Sequence, residues 1–269
     1  MKNQDKYDDI FAVSDSYISE TKKAPLFPTL CFYPKYVHIV YYSNRFAVKG
    51  IYDDIRWANS SLDMMHALEK SGVKLVVDGM KNYQSFDTAA VFVANHMSSL
   101  ETLILPGFIQ PVKKVCFVMK QELVEYPLFG ALSAARDPIL VGRDNPREDL
   151  LKVFDDGAER LQRGKSVVIF PQKTRRSKID EASFNTLGIK LAKKNNVPVI
   201  PIAIVSDAWA NGKIIKDFGR IHPSKTVYIS FGKPIYIKGS GAEEHKQVID
   251  FIKARFTAWN REDLINEKQ

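Results

Sequence analysis

The sequence predicts one α/β domain with a mixed, largely parallel sheet flanked by helices, preceded by an N-terminal membrane-proximal segment. Three observations carry this. Short apolar runs alternate with helix-length segments from Val73 onward, the rhythm of strands joined by crossover helices. Several of those runs are apolar throughout, as strands covered on both faces are. At 269 residues, 45% hydrophobic and 26% charged, the chain suffices for one large core and has an ordinary globular composition.

Taken in order, residues 1–60 read as an appendage and residues 61–269 as the main domain. The first sixteen residues carry acidic side chains and no long apolar core, so no secretory leader is expected. The stretch 24–48 is dense in aromatic and branched residues, punctuated by Pro25, Pro28 and Pro34 and accompanied by Lys35, Arg45 and Lys49. Two readings of it stay open: a segment lying on a membrane, with amphipathic rings among headgroups, or a cover for the core. No window holds about 18 consecutive apolar residues, so no spanning helix is expected.

Strands are expected at VKLVV, AAVFVAN, VCFVM, PILVG, SVVIF, VPVIPIAIV and TVYISFG, with Pro198 and Pro201 marking edges or bends of the sixth. Helices are expected over residues 59–71, 99–106, 146–163, 184–195 and 243–266. Pro146 suits a helix start and Gly164 a stop. There is no internal repeat and no low-complexity linker.

The net charge of +8 and a pI near 9.2 favour an anionic partner: phospholipid headgroups, a phosphorylated substrate or an acidic carrier protein. No RNA-binding signature, zinc-finger spacing or helix-turn-helix pattern stands out, so nucleic acid is not expected. Cys31 and Cys116 lack metal-ligand spacing, and a reducing, cytoplasmic setting fits them.

Chemistry concentrates at VFVANHMSSLETL, where His96 and Glu101 follow a short strand. Residues five apart on one helix diverge by about 140°, so the two side chains meet only if His96 lies in the turn and Glu101 in the first helical turn. A carboxylate that fixes the imidazole tautomer makes a usable general base. The same residues match a capping box, Ser98-x-x-Glu101, in which Glu101 serves the helix N-terminus. A second cluster follows SVVIF, where FPQKTRRSK places Lys173, Arg175, Arg176 and Lys178 at a strand exit, suited to phosphate or to plain solvation. Arg143 in PILVGRDN stands at another exit. The chain has no serine-hydrolase elbow, no P-loop and no HExxH helix. His66 reads as a helix-face residue, His222 and His245 have no evident partner, and Met64 and Met65 read as core filling.

The order of these pieces, NHMSSLE, MKQELVEYPLFG, PILVGRDN, FPQKTR and VPVIPIAI, resembles the glycerolipid acyltransferases of the lysophosphatidic acid acyltransferase type, from about Leu62 to Ile237. The resemblance implies transfer of a fatty acyl group from acyl-CoA or acyl-carrier protein to a lysophospholipid hydroxyl. His96 would be the base and Glu101 would replace the family's Asp. It implies substrate binding by Arg143, Gln172, Lys173, Thr174 and Arg175, no bound cofactor or metal, and peripheral attachment to an anionic membrane at the inner, cytoplasmic face. FPQKTR departs from the family's FPEGTR at Gln172 and Lys173, which keeps two alternatives in play: a different lipid or amine-bearing acceptor, or a non-catalytic lipid- or carrier-binding relative.

Overall fold

The computed structural model describes residues 14–20, 23–127, 129–142, 144–172, 174–212 and 217–266. The central strands are short and buried on both faces, so the sheet needs a helical layer on either side. β3 (Val91–Ala94) shows how this divides: Phe92 and Ala94 enter one core, Val91 and Val93 the other, and all four are buried. β6 (Ser166–Ile169) and β7 (Val199–Val205) split their residues between the same two cores. That period-two partition explains why these strands are apolar without interruption.

Among the described residues the sheet has eight strands in the order β1-β2-β8-β7-β3-β6-β4-β5. The outer members are β1 (Ser16–Ile18), β2 (Leu75–Asp78), β4 (Val115–Lys120), β5 (Ile139–Val141) and β8 (Val227–Phe231). The neighbours from β7 through β5 run parallel, whereas β1 against β2 and β7 against β8 run antiparallel. The fold is therefore mixed and largely parallel, as the sequence predicts, with all seven expected strands present and β1 added.

One face carries α1 (Pro28–Val48), α2 (Asp54–Lys70), the single turn α3 (Lys81–Gln84) and α4 (Leu100–Ile109), with the short α5 (Gly130–Ala134) contributing Leu132. The opposite face carries α6 (Pro146–Gln162), α7 (Leu187–Asn195) and α8 (Ala242–Ala258). Local chemistry sets their ends. Asn145 caps α6 by accepting from the N–H groups of Arg147 (3.1 Å) and Glu148 (3.4 Å), Pro146 follows, and Gly164 takes φ +76° just beyond the end. Asp53 caps α2 by accepting from Arg56 N–H at 2.9 Å.

Several boundaries differ from expectation. α2 starts at Asp54, so a division at residue 60 falls inside a helix. α4 runs through Pro106 to Ile109, because complete burial from Leu103 to Ile109 outweighs the one hydrogen bond that Pro106 cannot make. α7 begins only at Leu187. α8 ends at Ala258, where Asn260 turns left-handed at φ 54°, instead of continuing to residue 266. Pro198 precedes β7 as expected of an edge or bend, but Pro201 lies inside this central strand. Its carbonyl accepts Gly232 N–H at 2.8 Å, and the β8 ladder starts only at the Ile202–Phe231 pair, so the missing N–H falls beyond the ladder.

The stretch 28–48 is one helix containing Pro34, not a broken segment. Phe32 is fully buried and packs on Trp209 at 4.9 Å between ring centres, while Leu26, Phe27, Leu30, Val37 and Val48 stay exposed on or beside the helix. Both readings of this stretch thus have physical support on opposite sides of one helix. No helix among the described residues is long and apolar enough to cross a membrane.

Candidate active site

β3 and β6 are parallel neighbours whose following helices pack on opposite faces, α4 on the first and α7 on the second. Such a reversal opens a crevice beyond the strands' carboxyl ends, where ligands bind in open α/β sheets. Asn95 and His96 leave β3 there, and Phe170, Pro171 and Gln172 leave β6. Asn95 is fully buried and continues the β3–β7 seam with its side chain. Its amide donates to Ile204 O and its oxygen accepts from Ile204 N–H, each at 2.8 Å. The backbone can therefore turn away at His96 without leaving β7 unpaired.

His96 sits in that turn and Glu101 in the first turn of α4, and the two meet: His96 Nδ1 lies 3.1 Å from Glu101 Oε2. Glu101 is completely buried, which an isolated carboxylate does not tolerate. Here four donors surround it. Met97 N–H (3.2 Å) and Ser98 N–H (2.9 Å) reach Oε1, Ser206 Oγ donates to Oε1 as well, and His96 Nδ1 faces Oε2. The cap contact with Ser98 N–H and the contact with His96 are thus made by one carboxylate. The capping box is half made, because Ser98 Oγ accepts from Leu100 N–H at 3.1 Å and donates to Ser206 Oγ at 2.9 Å.

An ionised carboxylate only accepts, so Nδ1 carries the proton facing Glu101 and Nε2 keeps its lone pair. Nε2 has no hydrogen-bond partner among the described residues. The ring is held flat against Phe170, centres 4.2 Å apart and planes at 20°, and the side chain remains 19% exposed. Its backbone is fixed on both sides: His96 N–H donates to Gln172 Oε1 at 2.8 Å, and His96 O accepts from Arg176 N–H at 2.9 Å. The geometry suits proton abstraction from a substrate hydroxyl reaching Nε2.

Arg175 stands beside this pair. Its Nη1 donates to Asp217 Oδ1 at 2.6 Å and to Ser99 Oγ, and Ser99 Oγ in turn donates to Asp217. Burial alone would raise the Asp217 carboxyl. The hydrogen bonds from Ser99 and Arg175, with the charge of Arg175 and that of His96 when it is protonated, more than reverse this and hold it below the ordinary aspartate value. Of the other expected site residues, Gln172 is buried at 4% exposure and braces His96, and Thr174 is exposed. Arg143 and Lys173 lie outside the described residues.

Sequence reasoning missed Ser206, Asp217, Ser99, Asn95 and Phe170 as members of this site. Ser206 had a signal, as the first polar residue after the apolar run of β7. Asp217 had none, since nothing local pairs it with Arg175.

A family model described as Acyltransferase matches residues 74–205, the span from just before β2 to the end of β7 that contains the His96–Glu101 pair and the FPQKTR turn. The chain carries this acyltransferase match over just under half of its length. It is an enzyme of that class, and its fold is the family's: the crystal structure of the 1-acyl-sn-glycerophosphate acyltransferase PlsC from Thermotoga maritima superposes with a TM-score of 0.65 over 90% of this chain and 97% of that one, at 20% identity. A 1-acyl-sn-glycerol-3-phosphate acyltransferase of Pseudomonas aeruginosa is 29% identical over 72% of this chain and 70% of its own length. A chloroplastic 1-acyl-sn-glycerol-3-phosphate acyltransferase of Arabidopsis thaliana is 32% identical over 53% of this chain, and the match spans 38% of that longer protein.

Proposed function

We propose that the protein moves a fatty acyl group from a thioester, acyl-CoA or acyl-carrier protein, to the free hydroxyl of lysophosphatidic acid, with His96 as general base. The observation that carries this is the His96 Nδ1–Glu101 contact, which leaves Nε2 as an acceptor in an accessible crevice. The hydroxyl oxygen attacks the thioester carbon as its proton passes to His96 Nε2. The tetrahedral intermediate then breaks its C–S bond, and the departing thiolate takes the proton back. No covalent enzyme intermediate is needed. General-base help of this kind is worth about 10²–10⁴-fold, with positioning supplying much of the remainder.

Arg175 is the phosphate ligand in this reading, with Arg143, Lys173 and Thr174 as further contacts. Gln172 is assigned to bracing the His96 turn, because its oxygen is already engaged there and its side chain is buried. That assignment takes the Gln172 oxygen out of headgroup recognition and leaves Lys173 as the departure from FPEGTR that bears on the acceptor. The names of the relatives, all acting on 1-acyl-sn-glycerol-3-phosphate, support the same acceptor.

The exposed side of α1 is proposed as the contact with an anionic membrane at the inner, cytoplasmic face. Leu30, Val37, Tyr41 and Tyr42 supply apolar area, and Arg45 and Lys49 supply charge. Thiol release from palmitoyl-CoA, and separately from acyl-carrier protein, with and without lysophosphatidic acid, tests the whole reading. Release that depends on the acceptor and disappears in His96→Ala is the expected result. Silence with both donors, from a protein that still binds lysophosphatidic acid, would instead make it a binder.

A further inference from the structure

Arg175, Ser99 and Asp217 form a closed triangle: Arg175 Nη1 serves both Ser99 Oγ and Asp217 Oδ1, and Ser99 Oγ donates to the same carboxylate. Ser99 lies at the N-terminus of the ten-residue α4, three positions after His96. A guanidinium, a hydroxyl and a helix N-terminus together make a place for an anionic group. In this structure the protein's own carboxylate holds it.

We propose that Asp217 is an internal competitor for the acceptor's phosphate, so that lysophosphatidic acid binds by displacing Asp217 from Arg175 and Ser99. The inference rests on the reading of Arg175 as the phosphate ligand and adds to it a residue that sets acceptor selectivity. Three features support displacement over a fixed structural pair. The Asp217 side chain is 49% exposed, so water can take it up once it leaves. The Arg175 side chain is only 20% exposed, so it needs an anionic partner whenever Asp217 departs. The chain just after Asp217 is pinned: Phe218 stacks on Tyr33 with ring centres 5.4 Å apart, and Gly219 O accepts the Tyr33 hydroxyl at 2.6 Å. With that following stretch held, rotation of the Asp217 side chain is enough to free the anion position.

Displacement also discriminates. A phosphate brings more charge and more acceptor oxygens than one carboxylate, and it replaces everything Asp217 provides. A neutral lysolipid offers no anion and leaves Arg175 with Asp217. The fraction of molecules in which Asp217 has already left multiplies the apparent affinity for any anion.

The test measures KM for lysophosphatidic acid and the inhibition constant of inorganic phosphate in wild type, Asp217→Asn, Asp217→Glu and Arg175→Ala, with thermal melts confirming the fold of each. A half-exposed pair of this kind predicts that Asp217→Asn lowers both constants by about two- to fivefold, and that Asp217→Glu returns them toward wild type. Both constants unchanged or raised in Asp217→Asn, while Arg175→Ala raises KM, would overturn the competitor and leave Arg175 as the phosphate ligand. KM unchanged in Arg175→Ala would overturn the underlying reading, and the competitor with it.

Discussion

Glu101 gathers Met97 N–H, Ser98 N–H, the Ser206 hydroxyl and His96 Nδ1 around one fully buried carboxylate. Every one of those four donors needs an acceptor, and only a carboxylate offers enough lone pairs. Glu101→Gln keeps the volume but turns an amide N–H toward one of them, leaving that donor opposed and His96 free to take the wrong tautomer. Acceptor-dependent thiol release should fall by about 10²–10⁴-fold, the worth of a general base, with a lower melting temperature from the opposed donor. Unchanged turnover in Glu101→Gln would remove Glu101 from the mechanism. Half of this arrangement was legible in the sequence. The five-residue spacing dictates that His96 lie outside the helix, and Ser98-x-x-Glu101 signals the cap, so both readings of Glu101 were available. Ser206, however, is 105 residues away along the chain, and Asp217 meets Ser99 across 118. Such pairings follow from the order of strands in the sheet, which no local pattern encodes.

At the scale of elements, the seven expected strands all formed, and in β3, β6 and β7 burial on both faces writes a continuous apolar run. β1 went unseen because three residues, pairing with β2 alone, leave too little pattern. α1 was ambiguous for a physical reason: its two sides have different tasks, and prolines at positions 28 and 34 mask a continuous helix. Those tasks separate experimentally. Phe32 is fully buried against Tyr33, Tyr36 and Trp209, so Phe32→Ala should lower the unfolding free energy by about 3–5 kcal/mol. Leu30 is 69% exposed, so Leu30→Asp should leave the melting temperature nearly unchanged while reducing sedimentation with anionic vesicles. Equal vesicle binding by Leu30→Asp and wild type would place the membrane contact elsewhere.

Across the whole molecule, two segments that leave the site are tied to the stretch beyond α8, one by ion pairs and the other by backbone hydrogen bonds. Asp207, next to Ser206, accepts from Arg261 at 2.8 Å and from Lys225 at 2.8 Å, which joins the segment after β7 to the stretch beyond α8. That same stretch holds the segment after FPQKTR, through Ile179 N–H to Leu264 O at 2.7 Å and Asn266 N–H to Ile179 O at 2.8 Å. Burial would raise the Asp207 carboxyl, but the hydrogen bonds and charges of Arg261 and Lys225 outweigh it and hold it below the ordinary aspartate value. Lys165, Arg160 and Arg163 do the same for Asp137 beside α6. A carboxyl depressed in the folded state contributes stability that is present above its unfolded pKa, about 3.9, and is lost as pH falls through its folded pKa. The melting temperature should therefore hold from neutrality to about pH 5 and then fall as the pH drops below about 4. Asp207→Asn should melt lower than wild type at neutral pH and lose less on acidification, because its share of the stability is already gone. Since Ser206 adjoins Asp207 and donates to Glu101, the variant should also lose thiol-release activity at a lower temperature than wild type. Parallel pH profiles of melting for the two proteins would show that the Asp207 pair contributes nothing to acid sensitivity.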